Sequence, residues 1–190
     1  VTNASGLTSN CIAVVTVTDV VAPTVVCTDI TIQLDNTGSA TITVDDIDNG
    51  SSDVCGIANR SLDVSTFNCS NIGPNNVTLT VTDSNGNSAS CTAVVTVQDL
   101  IAPIAVCQNI TLPLNASGMA SITAMQVDGG SSDFCGIVSR SIDVSTFDCS
   151  NLGANTVVLT VMDGSGNTDS CTAVVTVEDV TPPNVICQNI

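Results

Sequence analysis

Two residue types in this chain can do chemistry, cysteine and aspartate, and both recur at a fixed spacing. Cysteines fall at Cys11, Cys91 and Cys171, at Cys27, Cys107 and Cys187, at Cys55 and Cys135, and at Cys69 and Cys149, and every series steps by 80 residues. Four cysteines per 80 residues, with neither CxxC pairs nor histidine, read as a disulfide framework and hence as an oxidising, extracellular compartment. Four cysteines allow three pairings. If the first and last strands of a repeat run the same way, Cys27 and Cys91 lie at the same pole, whereas Cys91 and Cys107 would be separated by a strand of ~30 Å, beyond disulfide reach. The expected bridges are Cys27–Cys91, Cys55–Cys69, Cys107–Cys171 and Cys135–Cys149, with Cys11 and Cys187 paired to repeats outside this stretch.

The aspartates follow the same period. Asp19, Asp48, Asp53 and Asp83 match Asp99, Asp128, Asp133 and Asp163, whereas Asp45 and Asp46 become Met125 and Gln126. In the strand order expected below, the acidic loop 45–53, the tip 83–87 and the linker Asp19 gather at the pole where the chain enters a repeat. Carboxylates so placed repel one another unless a cation intervenes, and Ca²⁺ takes about six to eight oxygen ligands. The expectation is a calcium site at each junction, held by Asp19, Asp48, Asp53 and Asp83 at the first and by Asp99, Asp128, Asp133 and Asp163 at the second. The same aspartates could instead serve turns, where Asp bonds its own backbone, and no EF-hand loop is present. Arg60 and Arg140 also match, which suggests a carboxylate neighbour for each.

Composition narrows the classes further. The 190 residues hold 18 acidic and two basic side chains and no His, Trp or Tyr, for a net charge of -16. Two cations cannot neutralise a row of phosphates, so nucleic acid and anionic lipid surfaces are poor partners. Without histidine, the usual Ser-His-Asp and Cys-His sites are excluded, and paired carboxylates without aromatic platforms make a poor glycosidase, so no enzyme is expected. No apolar run approaches the ~18 residues that span a bilayer, so membrane insertion is not expected. Asn-X-Ser/Thr sequons such as Asn3 and Asn76 make glycans possible, although a chain rich in Asn, Ser and Thr yields them by chance.

The elements that must position these groups read as strands. Val, Thr, Ser, Asn and Ile dominate, and Val77-Thr78-Leu79-Thr80-Val81-Thr82 alternates with period two. Strands are expected near 25–34, 39–44, 56–64, 75–82 and 90–98, with a Gly-containing turn before the last and no helix. Cys27 has the opposite strand parity to Ile30, Ile32 and Leu34, which requires a bulge or a change of sheet between them. Residues 21–100 and 101–180 share 47 identities in 80 positions. The chain is therefore a tandem repeat. Short strands at this spacing predict an all-β, immunoglobulin-like antiparallel sandwich, repeated end to end. The expected boundaries are a closing strand of a preceding repeat at 1–19, repeats at 20–99 and 100–179, and an opening strand of a following repeat at 180–190, each junction stiffened by proline as in TDVVAP and QDLIAP.

CTAVVTVQDLIAPIAVCQNITL, the acidic turn around SSDFCGI, and VLTVMDGSGNTDSC together resemble the hyalin-repeat (HYR-like) modules of large secreted surface proteins of Bacteroidota-type bacteria. The resemblance covers essentially the whole chain and implies an extracellular immunoglobulin-like module used for adhesion or as a stalk. With the residues, it predicts a structural protein, a disulfide-stapled and Ca²⁺-rigidified stalk or filament shaft on the cell surface or secreted, whose partners are adjacent repeats. The alternative is an adhesin module that binds a glycan or protein through its pole loops, though binders usually expose aromatic or Arg-rich patches that this chain lacks.

Overall fold

A computed structural model describes residues 1–186 and residue 188. Cys187, expected to pair outside this stretch, and the end of the expected opening strand lie outside the described residues. The first repeat runs β1 (Ile30–Gln33), β2 (Ser39–Thr41), α1 (Val44–Ile47), β3 (Ile57–Leu62), β4 (Thr66–Asn68), β5 (Gly73–Asp83) and β6 (Ser88–Gln98). The second runs β7 (Ile110–Pro113), β8 (Met119–Ser121), α2 (Ala124–Val127), β9 (Ile137–Ile142), β10 (Thr146–Asp148), β11 (Gly153–Asp163) and β12 (Thr168–Glu178). Each repeat builds a four-stranded sheet, ordered β1-β6-β5-β3 or β7-β12-β11-β9, and a two-stranded sheet, β2-β4 or β8-β10. The chain is all-β, with two similar sandwich-like halves of about 80 residues each.

Contacts gather the chain into two compact units. One comprises Val1–Ile30, Thr43–Val64 and Asn76–Val94, and includes β3, α1 and the Cys27–Cys91 bridge. The other comprises Thr31–Ile42, Ser65–Asn75 and everything from Val95 onward, and so contains the whole second repeat.

The second repeat shows why the sequence folds this way. Along β11 and β12, Val157, Leu159 and Val161 alternate into the same core as Ala173, Val175 and Val177, all essentially without solvent contact. Ile122, Val127 and Phe147 close that core from the other side. Burying such a side chain is worth about 1.5–3 kcal/mol, and a one-residue slip would turn every one of them outward. Equivalent residues of the first repeat, from Val77 and Leu79 to Phe67, are buried in the same way.

β12 pairs with β7 in parallel and with β11 in antiparallel register. The first and last strands thus run the same way. Cys107, before β7, therefore reaches Cys171 near the start of β12, with Cα atoms 5.7 Å apart, and Cys27 and Cys91 are joined at 5.9 Å.

Two details depart from the sequence reading. The segment expected as one strand over 25–34 is split: Thr24 and Cys27 bridge to Ser52 and Asp48, and β1 begins only at Ile30. The break between Cys27, in an isolated bridge, and β1 accommodates their opposite parity. Helical turns also occur where none was expected, at Val44–Ile47 and Ala124–Val127. Each is capped locally, because Asp46 Oδ2 accepts the Thr43 N–H at 2.6 Å and Gln126 Oε1 accepts the Thr123 N–H at 2.8 Å. Four residues are too few to show helical periodicity.

The bridges expected within repeats at Cys55–Cys69 and Cys135–Cys149 are corrected by the structure. Cys69 is joined to Cys135 instead, with Cα atoms 5.2 Å apart, and Cys55 and Cys149 carry free thiols at the surface. Cys135 lies before the six residues of β9 and Cys149 beyond β10. A strand of that length separates its ends by ~20 Å, well outside the ~7 Å Cα limit of a disulfide.

Candidate functional site

The eight aspartates of the expected cation sites fall into three environments. Asp48 and Asp128 are committed to arginine. Asp48 Oδ2 accepts from Arg60 at 2.7 Å and Oδ1 from the Ser51 N–H at 2.8 Å. Asp128 Oδ2 accepts from Arg140 Nε at 2.6 Å, and Oδ1 from the N–H groups of Gly130 and Ser131. Burial works against ionisation of both, yet the serine, arginine and backbone donors outweigh it and hold both carboxyls below their ordinary value. The carboxylate neighbours expected for Arg60 and Arg140 are these two residues.

Asp83 and Asp163 are buried beneath the hairpin turns. Asp163 Oδ1 accepts the N–H groups of Ser165 and Asn167 at 2.9 and 2.8 Å, and Oδ2 accepts the Asn167 side-chain amide at 2.7 Å. The same amide donates to the backbone carbonyls of Asp99 and Ile101 at 3.2 and 3.3 Å, so the turn grips the linker. Asn87 links Asp83 to the Asp19 carbonyl in the same manner. For Asp83, burial is again outweighed, here by Asn87 and the turn N–H groups, and the carboxyl sits below its ordinary value. Gly166, at φ 90°, supplies the left-handed residue this turn needs.

The third pair in each copy is the one that converges. Asp99, Asp133 and Cys135 present ligand atoms within 4.8 Å of one another, as do Asp19, Asp53 and Cys55. Asp99 Oδ1 accepts the Ile101 N–H at 3.1 Å, Asp133 Oδ1 accepts the Cys135 N–H at 2.7 Å, and Asp19 and Asp53 do likewise for Val21 and Cys55. Asp99 is only 5% exposed, and its Oδ2 is buried without any partner. It borders a cavity of about 580 Å³ whose other walls include Asp35, Asn36, Ile101, Asp133 and Phe134. Beside Asp19, the Cys55 thiol is pushed above its ordinary value, first by its hydrogen bond to that carboxylate and then by its charge, with burial, Asp53 and Asp83 adding to the shift.

A buried, unpaired carboxylate oxygen is costly, and two carboxylates this close repel by about 3–4 kcal/mol at an effective dielectric of 20. A hard cation resolves both. Asp99 and Asp133 fit Ca²⁺ as oxygen donors, with backbone carbonyls and water to complete the shell, but the Cys135 sulfur, already in a disulfide, is no ligand for it. Of the four residues expected at each junction, two converge with ligand atoms near one another, one anchors the asparagine that holds the linker, and one pairs with arginine. Asn87 and Asn167 were legible only as turn residues; their identical position in both copies was the available signal.

No family model matches the chain. Over 201 aligned residues, covering 98% of this chain, it is 34% identical to hyalin from Strongylocentrotus purpuratus. The chain resembles hyalin along nearly its whole length. It spans 16% of that protein. Among solved structures, human protocadherin-24 EC1-2 aligns at TM-score 0.46 and 12% identity, over 84% of this chain and 99% of that one. Drosophila N-cadherin EC1-4 aligns at 0.44 and 12%, over 83% and 50%. The chain is thus similar to hyalin, and it carries disulfides, bonds that persist in oxidising environments. No helix among the described residues is long and apolar enough to cross a membrane.

Proposed function

We propose that this chain is a stretch of an extracellular stalk or filament shaft, built from hyalin-type repeats at 20–99 and 100–179 and stiffened by Ca²⁺ where one repeat meets the next. In sequence, residues 1–19 match 81–99 and residues 180–190 match 100–110, and repeats of this kind are the partners proposed. The observation that carries the reading is Asp99, whose buried Oδ2 lacks a partner beside the Asp133 carboxylate. Its neighbour Asn167 fixes the linker backbone, so a cation there would join the linker to the acidic turn and remove hinge freedom at the junction. A ligand that binds only the folded state stabilises it by about 2.7 kcal/mol at a hundred times its Kd.

The test is thermal melting and small-angle scattering of the 190-residue chain with millimolar CaCl₂ or excess chelator. Calcium should raise the melting temperature by several degrees and narrow the distribution of end-to-end distances, and a D99N/D133N chain should show neither response. Equal melting and equal dimensions with and without chelator would falsify the cation. The large exposed apolar residues include one aromatic, Phe134, so the adhesin reading has little surface to rest on.

A further inference from the structure

The cysteines that pair across the two repeats leave an identical half-pair at either end. Cys69 bonds Cys135; stepping each by the repeat length gives Cys149 and Cys55, the two exposed thiols. We infer that Cys149 and Cys55 are half-rungs of a disulfide ladder between repeats, each positioned to bond a further repeat of this same kind.

Four observations beyond the spacing support the assignment. The thiol of Cys149 is already held where its bonded counterpart sits: its Sγ lies 3.8 Å from the Gly118 carbonyl, and that of Cys69 lies 3.9 Å from the Gly38 carbonyl. Both sulfurs occupy the space of an absent side chain, since a Cβ on Gly118 would stand 2.8 Å from the Cys149 sulfur and one on Gly38 2.9 Å from that of Cys69. At the other half, Asp53 holds the Cys55 N–H at 2.7 Å, as Asp133 holds that of Cys135. The surface around Cys55 is also uncovered. Val54 is fully exposed and Val21 66% exposed; their counterparts, Phe134 at 71% and the half-buried Ile101, line the cavity beside the formed rung.

Those counterparts identify the occupant. Phe134 approaches the turn at Gly38, 3.4 Å from where a Cβ there would stand, so the surface that fills this space is the Asp35–Ser39 turn of the repeat before. The matching turn, Asn115–Met119, is present beside Cys149 and has the same backbone N–H hydrogen bonds, Asn115 standing in for Asp35. The chain thus carries both halves of the joint, one at each end. Closing a rung takes two thiols and a disulfide oxidant such as oxidised glutathione. The two cysteine sulfurs become joined, their two protons and two electrons pass to the oxidant, and two glutathione thiols leave.

This inference deepens the tandem-array reading but is independent of calcium, so the chelator experiment and the following one can fail separately. In a C11S background, C55S and C149S chains are incubated alone and mixed in a glutathione redox buffer, then analysed by non-reducing electrophoresis and peptide mass mapping. The mixture should give a covalent dimer joined through Cys149 of one copy and Cys55 of the other, at least tenfold more than either variant alone. Absence of that dimer, or equal amounts of Cys55–Cys55 and Cys149–Cys149 dimers in the separate samples, would overturn the inference. Mapping of the unmixed C11S chain supplies a second measurement: a Cys69–Cys135 peptide with Cys55 and Cys149 open to alkylation is expected, and a Cys55–Cys69 or Cys135–Cys149 peptide would sink the ladder.

Discussion

The leading ends of the two repeats carry the same residues in different surroundings. Asp19 and Asp53 are half-buried and Cys55 is exposed; Asp99, Asp133 and Cys135 lie against the Asp35–Ser39 turn, and Cys135 is bonded to Cys69. In the first case the linker aspartate is half-buried and the cysteine is a thiol, and in the second the aspartate is buried and the cysteine is bridged. Local sequence therefore accounts for the acidic turn, and what differs between the copies is the burial of the linker aspartate and the state of the cysteine. A junction is something two repeats make together, which is why a carboxylate oxygen can be stranded there and nowhere else among the described residues.

The largest effect that sharpens this contrast comes from the disulfides. Cys107–Cys171 and Cys69–Cys135 close loops of similar length, with separations of 64 and 66 residues, for which the chain-entropy model gives about 4 kcal/mol each. Their structural roles differ. C107A/C171A should lower the stability of the second repeat by that order, read as the midpoint of its urea transition. C69A/C135A should leave the repeat cores in place and convert the second leading end into a likeness of the first. Amide exchange at Ile101 would then accelerate toward that at Val21. Slow exchange at Ile101 in the double variant would mean that packing around Phe134, and not the rung, makes the junction.

That distinction also marks what sequence could reveal. The alternation of Val77, Leu79 and Val81 predicted the strand and its buried face, and the parity conflict between Cys27 and Ile30 predicted a bulge or a change of sheet where the expected strand is in fact split. Both signals are local. The partner of Cys69 was not legible, because nothing within one period says whether a cysteine at a pole faces its own repeat or the next. The aspartates were expected as a group at one pole, and their division of labour was not legible. Asp128 turns to Arg140 only because α2 and β9 bring residues twelve apart together, a matter of packing.

The arginine pair offers the next effect. Asp128 is 5% exposed at its side chain while Arg140 keeps 27%, so the pair is half-open to water and screening reduces its worth from that of a fully buried one. R140A should cost about 1–3 kcal/mol, mainly by leaving the Asp128 charge without its guanidinium. The pH dependence has a definite sign. The Asp128 carboxyl sits below its ordinary value of 3.8 when folded, so its contribution is fully present above that value and is lost as pH falls toward the folded value. Melting temperature should decline below about pH 4, and D128N should flatten the decline. A decline of unchanged slope in D128N would assign the acid sensitivity to other carboxylates.

Glycine substitutions then separate the strain of the turn from the loss of the rung. Gly38 and Gly118 have φ of 70° and 73°, and a methyl group at either would meet a cysteine sulfur. Alanine in that conformation costs about 1–2 kcal/mol. G118A should show that cost alone, because Cys149 is a free thiol that can rotate aside. G38A should show it together with a pair of alkylatable thiols at Cys69 and Cys135. Equal thiol counts in the two variants would show that the rung tolerates a displaced sulfur.

The smallest expected effect concerns a feature present in one copy only. Arg60 pairs with Asp48 and also, at 2.8 Å, with Asp45, while the second copy has Met125 in that place and Arg140 keeps Asp128 alone. The side chain of Asp45 is 74% exposed, so its attraction to Arg60 is spent largely against water and mobile ions. D45N should therefore leave the melting temperature unchanged within error at physiological salt. In contrast, D48N removes the acceptor that Arg60 shares with the Ser51 turn, and should lower melting as D128N does in the second repeat. If D45N and D48N were equally damaging, the arginine would be anchored from the surface, and the matched pair Asp48 and Asp128 would lose its claim to be the element that both repeats need.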